Sequence, residues 1–305
     1  AILYALYFVS LLSENDQAGD FLSPVLCFIC FIPVLYGYGR RESRKGLKYA
    51  GYLLAAALLA WGICDLFWAL IRHVLHLDPS FYDTLENVYS LSNILILASL
   101  LISFYREMRK INKMQVLLDS MMVTISIAAL IWVFVFQRNL ARAAVLETNW
   151  IAMLSLLTDV MIIAWSFIWY FSVRSPRSPL CHYLNFVGEV LFAVTDIIYY
   201  YVYFYKTYVP NSLIDGGYTV SFAIIALSGV MKINGCTKMI PNIGQIRNGN
   251  RIWIRKEVFF LVIPVIIFAV EGSQSRILLG LVCVIMFYFL FTNYIQENLY
   301  RDMLL

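Results

Sequence analysis

The sequence predicts an all-α, polytopic membrane protein of about ten transmembrane helices, probed here by three observations. Hydrophobic residues make up 61% of the 305 and charged residues only 14%, where soluble domains carry roughly a quarter charged residues. Apolar stretches of roughly 15 to 25 residues recur, the length a helix needs to cross about 30 Å of hydrocarbon, and they lack the alternation of barrel strands. An acid-centred pattern also occurs twice. Asp65 has Trp61 four residues before it and Trp68 three after; Asp196 has Phe192 and Tyr199 at the same offsets. Pro79 and Pro210 each follow their acid by fourteen residues. These marks predict two parallel four-helix repeats plus a final helix pair.

In chain order, the first apolar segment is 1–12, too short to span, which reads as a clipped helix in a chain that starts at Ala1. Spans follow at 21–38, 47–71, 88–105, 114–136, 148–173, 181–205, 213–231, 257–270 and 277–296. The ninth is short, contains Pro264 and is preceded by Arg255 and Lys256. The organisation expected is a first membrane repeat over 1–107, a second over 108–231, a basic cytoplasmic loop at 232–256, a final helix pair at 257–296 and the start of a cytoplasmic signalling helix at 297–305. That last stretch continues from TNYIQENLYRDMLL, which has no Pro or Gly and carries Ile295, Leu299 and Met303 at intervals of four, as a helix leaving the membrane without a stop would.

The connecting loops alternate in charge. One set holds Arg40, Arg41, Arg44, Lys45 and Lys48, then Arg106, Arg109, Lys110 and Lys113, then Arg174 and Arg177, then Lys232, Lys238, Arg247, Arg251, Arg255 and Lys256. With Arg301, that side carries 18 of the 23 Lys and Arg. The other side is acidic, with Glu14, Asp16, Asp20, Asp78, Asp83, Glu86, Glu147, Asp215 and Glu271. The basic side is therefore expected in the cytoplasm, together with both termini. The net charge of +4 is this topology signal, and no nucleic-acid partner is expected.

A carboxyl group in hydrocarbon is costly and marks a functional candidate. Offsets of −4, +3 and +4 share one helix face, so Trp61 and Trp68 flank Asp65, while Phe192, Tyr199 and Tyr200 flank Asp196. Asp159, near mid-membrane, and Glu189, seven residues before Asp196, extend the polar stripe; Asp119 falls at the cytoplasmic edge. Such a face offers ion pairing, cation–π contact and phenol hydrogen bonds to a cation, an amine or a hydroxylated ligand. The competing reading makes the acids interhelical acceptors and the aromatics an interface belt, which is also the default for the crowd from Tyr199 to Tyr208. No cofactor and no metal are expected: His73 and His76 share a helix face but lack a third strong ligand nearby. The Cys27–Cys30 spacing inside an apolar helix reads as small hydrophobic packing. No phosphate-binding loop, nucleotide fingerprint, HExxH or nucleophile elbow is present, so no enzymatic activity is expected of these residues.

The strings VLLDSMMVTISIAALIWVFVF, LLTDVMIIAWSFIWYF, LNFVGEVLFAVTDIIYYYV and VPNSLIDGGYTVSFAIIALSG resemble the multi-pass sensor regions that precede GGDEF and GGDEF–EAL domains in bacterial cyclic-di-GMP signalling proteins. Asp196, Pro210 and Asp215 occupy the positions of an intramembrane acid, an outer-loop Pro and an acid opening the next helix. The resemblance is best over 114–231, and no GGDEF or EAL sequence occurs before Leu305. It implies a sensory input module in a bacterial cytoplasmic membrane, binding a small molecule or lipid in an outer-half pocket. It further implies regulation of a diguanylate cyclase through a homodimer paired at the C-terminal helix. A small-solute or ion transporter and a histidine-kinase input region are the alternatives.

Overall fold

The computed structural model describes residues 2–13, 15–42, 44–76, 80–107, 150–172, 177–204, 208–236 and 239–241, with 122, 124–126, 128–129 and 285. Residues 1–107 and 148–246 form one compact unit, and residues 108–147 and 247–305 form a second. In the second unit the described residues are helical. Most of the fifth, ninth and tenth expected spans, Asp119, Pro79, most of the basic loop and the expected signalling helix lie outside the described residues.

The first unit is helical apart from one short ribbon. Helix α1 is Ile2–Leu12. Helix α2, Asp16–Val34, is capped by Asn15, whose side chain accepts the Ala18 N–H, and has Asp16 in its first turn, where an acid suits the helix dipole. It runs through Pro24 and Pro33 and ends in a π-helical turn, Leu35–Arg40. Helix α3, Lys45–Leu70, likewise ends in a π turn, Ile71–Leu75, closed by His76 in the left-handed region at φ 48°. Helix α4 is Ser80–Glu107. It starts eight residues before the expected 88, because the polar stretch with Asp83 and Glu86 continues the helix beyond its apolar part. Helix α5 is Trp150–Ser172, α6 is Leu180–Phe204 and α7 is Leu213–Ile233. At the start of α7, Asp215 accepts the Ser212 backbone N–H at 3.0 Å. The ribbon, unforeseen in the sequence, pairs β1 (Arg177–Pro179) antiparallel with β2 (Met239–Pro241).

Among the described residues, five helical stretches are long and apolar enough to cross a membrane: Asp16–Arg40, Lys45–Leu75, Val88–Arg106, Leu180–Tyr203 and Leu213–Ile233. The unit is also distributed as a membrane-embedded bundle would be. Ile32, Phe67 and Leu227 are at least half exposed, while Asn93, Ser92, Asp159, Ser166, Glu189, Ser221 and Ser228 are buried. Apolar side chains face outward to lipid and polar ones face the interior.

Packing follows a closed ring: α2 on α3, α3 on α4, α4 on α5, α5 on α6, α6 on α7, and α7 back on α2, with α1 against α2 and α7. Small residues close the α2–α7 seam. A Cβ on Gly37 would stand 2.5 Å from the Gly229 carbonyl oxygen, and one on Gly229 would stand 2.6 Å from that of Pro33. The two backbones meet there because neither residue has a side chain. One end of the ring carries Asp16, Asp20 and Asn211; the other carries Arg40, Arg44 and Lys232. These are the acidic and the basic end of the ring.

Candidate functional site

A cavity of about 120 Å³ opens inside the ring toward its acidic end. Helix α3 contributes Trp61, Asp65 and Trp68, and α6 contributes Asp196, Tyr199 and Tyr200. Six of the nine site residues expected from sequence therefore line one space. The wall is completed by Tyr7, Asp20 and Ser23, by Tyr89, Ser90 and Asn93 of α4, by Asp215 and Tyr218 of α7, and by Tyr208, Pro210 and Asn211 of the preceding loop.

The two acids are held in matching ways. Asp65 accepts the phenol of Tyr89, on the helix that follows it, at 2.7 Å, and the Ser23 hydroxyl at 2.5 Å; the Cys27 thiol approaches at 3.8 Å. Asp196 accepts the phenol of Tyr218, again on the helix that follows, at 2.5 Å. Its other oxygen accepts the Asn93 amide at 2.7 Å. The same Asn93 nitrogen donates to Asp159 at 2.9 Å, so both amide hydrogens are engaged by carboxyl groups. Among the described residues nothing donates to the Asn93 oxygen, which is fully inside the protein, and no amide or hydroxyl donates to Asp159 Oδ2.

The remaining three expected residues sit elsewhere. Phe192 is buried behind the cavity wall: its ring lies 5.3 Å from that of Trp61, edge to face, and both pack on Tyr218 and Phe222. Asp159 stands behind Asn93. Glu189 belongs to the basic end, bonded by Asn185 at 2.8 Å and Ser166 at 3.4 Å. Seven residues of helix rise separate it from Asp196, about 10 Å, which places it at another depth on the same stripe. It lines a second, smaller cavity of about 40 Å³ with Tyr38, His182, Asn185 and Lys232.

The rim at the acidic end is a charged clasp. Arg72 reaches Asp16 at 2.6 Å and Asp20 at 3.1 Å, and His73 Nε2 lies 2.6 Å from Asp20. Asn211 donates to Asp20 at 2.8 Å and to the Asp16 carbonyl at 2.9 Å, tying the α6–α7 loop to α2. His73 and His76 do not converge, since His76 Nδ1 contacts the Arg72 carbonyl of its own turn. Cys27 and Cys30 also diverge, Cys27 toward Asp65 and Cys30 to the Tyr4 hydroxyl at 2.9 Å.

At the basic end, Lys232 of α7 bridges to Glu42 at 2.9 Å and lies over the Tyr38 ring at 4.3 Å. Burial pushes the Glu42 carboxyl up, but hydrogen bonds from Lys232 and Arg44 outweigh it and bring it down to about 2.

The arrangement holds acceptors and aromatic rings around a small, partly open volume. Among the described residues, no group of three or more His, Cys, Asp or Glu could hold a metal. No protein-family model, curated protein or solved structure matches this chain.

Sequence reasoning missed Ser23, Tyr89, Asn93 and Tyr218. Asn93 carried a usable signal, as a lone amide in the apolar run SLSNILIL. Tyr89 and Tyr218 carried one only in retrospect, each 22 to 24 residues after its acid.

Proposed function

We propose that this chain is a membrane-embedded sensory input module that binds a small molecule in the cavity at its acidic end and regulates a cytoplasmic output domain. The observation that carries the reading is the convergence of Trp61, Asp65 and Trp68 with Asp196, Tyr199 and Tyr200 around one cavity. The positive-inside bias puts that end outside the cell, in a bacterial cytoplasmic membrane with both termini inside. The resemblance to regions preceding GGDEF domains makes the output a diguanylate cyclase, working as a homodimer through the C-terminal helix. The ten-span count with two parallel four-helix repeats belongs to the same proposal. The ring supports the repeat: pairing α2 with α5, α3 with α6 and α4 with α7 carries each of the six ring contacts onto another, including the α2–α7 seam onto α4–α5.

One observation favours transport of a small solute or ion. A buried polar file runs from Asp196 through Asn93 to Asp159, and a second polar group, Ser166, Glu189 and Asn185, lies toward the basic end. The test is to place Asp65→Asn, Asp196→Asn and Tyr199→Phe in the full-length protein and measure both output in cells and flux in liposomes. Altered output from folded variants, without flux, supports the sensor. Solute flux by the parent protein would replace it with the transporter, and variants that change only stability would remove the pocket from the account.

A further inference from the structure

We infer that Cys181 and Cys236, at the basic end of the ring, are a reversible oxidation site that a hydroperoxide converts to a disulfide. The pair lies at the opposite end from the cavity, so it stands or falls apart from the pocket. Cys181 opens α6 and Cys236 follows the end of α7, 55 residues later. The Cys236 sulfur accepts the Cys181 backbone N–H at 3.2 Å. With an N–Cα bond of ~1.46 Å, that sulfur lies within about 4.7 Å of the Cys181 Cα. The two thiols are near enough to act on each other's charge. Side-chain rotation, not helix movement, is what joins the sulfurs at this separation.

Two local structures hold the cysteines together. Helix α7 ends in a Schellman turn: the Cys236 N–H bonds the Met231 carbonyl at 2.9 Å, and the Gly235 N–H bonds that of Lys232 at 3.3 Å. Gly235 supplies the left-handed residue at φ 87° that this turn requires. Cys236 follows at φ 26°, also in the left-handed region, which a side chain seldom occupies and which fixes where the thiol points. The second structure is the ribbon, which pairs Pro179 with Met239 just before Cys181 and just after Cys236. On the inner side, the Tyr38 phenol lies 3.2 Å from the Cys181 carbonyl and 3.1 Å from the Ser228 hydroxyl. The pair therefore sits where the ends of α2, α6 and α7 meet.

Exposure divides the roles. Among the described cysteines, Cys27, Cys30, Cys64 and Cys181 are buried, and Cys236 alone is partly exposed. Cys236 is the sulfur a solution oxidant reaches, and Cys181 is the resolving thiol behind it. In the first step the Cys236 sulfur attacks the peroxide O–O bond. It keeps one oxygen as the sulfenic acid, and the other leaves with the thiol proton as water, or as an alcohol from an alkyl hydroperoxide. In the second step the Cys181 sulfur attacks the sulfenic sulfur. The S–S bond forms as the S–O bond breaks, and the hydroxyl leaves with the Cys181 proton as water. The two thiols lose two protons and two electrons, and the peroxide takes up both. On the cytoplasmic side, where the positive-inside bias puts this end, such a bond is a transient signal and not a permanent staple.

The experiment treats the purified full-length protein in detergent with hydrogen peroxide, blocks free thiols with iodoacetamide and maps the peptides without reduction. The expected product is one crosslink, Cys181 to Cys236, lost on adding dithiothreitol. It should also be lost when the protein is unfolded in SDS before the peroxide is added, because the preformed contact is then gone. Cys181→Ala should abolish the crosslink and leave a Cys236 sulfenic acid that dimedone traps, whereas Cys236→Ala should leave Cys181 unlabelled by dimedone. Both thiols alkylated after peroxide treatment of the folded protein would overturn the inference, as would Cys236 oxidised beyond the sulfenic acid while Cys181 stays free. A crosslink from Cys236 to another cysteine, or one equally abundant in SDS, would overturn the preformed pair. Dimedone on Cys181 in the Cys236→Ala protein would overturn the assignment of roles. Peptide mapping of the parent protein decides the crosslink even if a variant does not fold.

Discussion

Replacing Asn93 by Leu tests the polar centre directly, because Leu approximates the shape and donates nothing. Two hydrogen bonds disappear, at 2.9 Å to Asp159 and 2.7 Å to Asp196. Values for hydrogen bonds to charged groups in soluble proteins, about 1.5–3 kcal/mol each, would give roughly 3–6 kcal/mol. Interhelical hydrogen bonds in a membrane protein average about 0.6 and reach about 1.7 kcal/mol. The membrane values apply, so the expected loss is about 1–3.5 kcal/mol. It falls unevenly. Asp196 keeps the Tyr218 phenol at 2.5 Å, whereas Asn93 is the only amide or hydroxyl group donating to Asp159 among the described residues. Adding Asp159→Leu should therefore recover stability, since removing both partners of a buried hydrogen bond is nearly neutral. The assay is SDS-induced unfolding in mixed micelles, followed by tryptophan fluorescence for N93L, D159L and the double variant. A double variant less stable than N93L alone would refute the reasoning.

Two further outcomes follow from the helix seams. Gly229→Ala places a methyl group 2.6 Å from the Pro33 carbonyl oxygen, where ordinary contact begins at 3.4 Å; separating α2 from α7 should cost about 1–3 kcal/mol, and an unchanged melting temperature would contradict the close approach. At the basic end, Glu42 is held down at about 2 from an ordinary 4.5. A lowered acid stabilises the fold above its unfolded value and loses that contribution as pH falls from 4.5 toward 2. Because Arg44 in the cluster is well exposed to solvent, the stake is only about 1 kcal/mol. Glu42→Gln should flatten the stability profile across that window, and an unaltered profile would dissociate Glu42 from the α7 end.

How much of this was legible in the sequence depends on distance along the chain. The grouping of Trp61, Asp65 and Trp68, and of Asp196, Tyr199 and Tyr200, was readable because helix periodicity fixes which neighbours share a face. Depth was readable in principle as well, and that is where Glu189 was misplaced: seven residues preserve the stripe but move about 10 Å along the axis. The partners of the acids were not readable. Whether Asp65 meets Ser23 or Tyr89 depends on how α2, α3 and α4 rotate against each other, which is set by side-chain packing and small-residue contacts between segments distant in sequence. The span at 88–105 was legible, and the helix that carries it simply runs further. Hydropathy reports where lipid begins, while the backbone of Ser80–Glu107 remains helical through Asp83 and Glu86 because nothing in that stretch stops it.

The departure from symmetry is what gives the cavity a direction. In the proposed repeat, Trp61 and Phe192 are equivalent, and they meet edge to face at 5.3 Å, as counterparts near a two-fold axis would. Tyr89 and Tyr218 are equivalent too, each donating to the acid of the preceding helix. The third partner breaks the pattern. Asp65 takes a hydroxyl from Ser23 of α2, whereas Asp196 shares the Asn93 amide with a second acid, Asp159 of α5. One side of the cavity therefore closes its hydrogen bonds among neutral donors, and the other gathers two carboxyl groups on one amide. A ligand entering along the axis would meet similar aromatic walls on both sides and unequal polar demand. It should bind toward Asp196, so that Asp196→Asn weakens binding more than Asp65→Asn does.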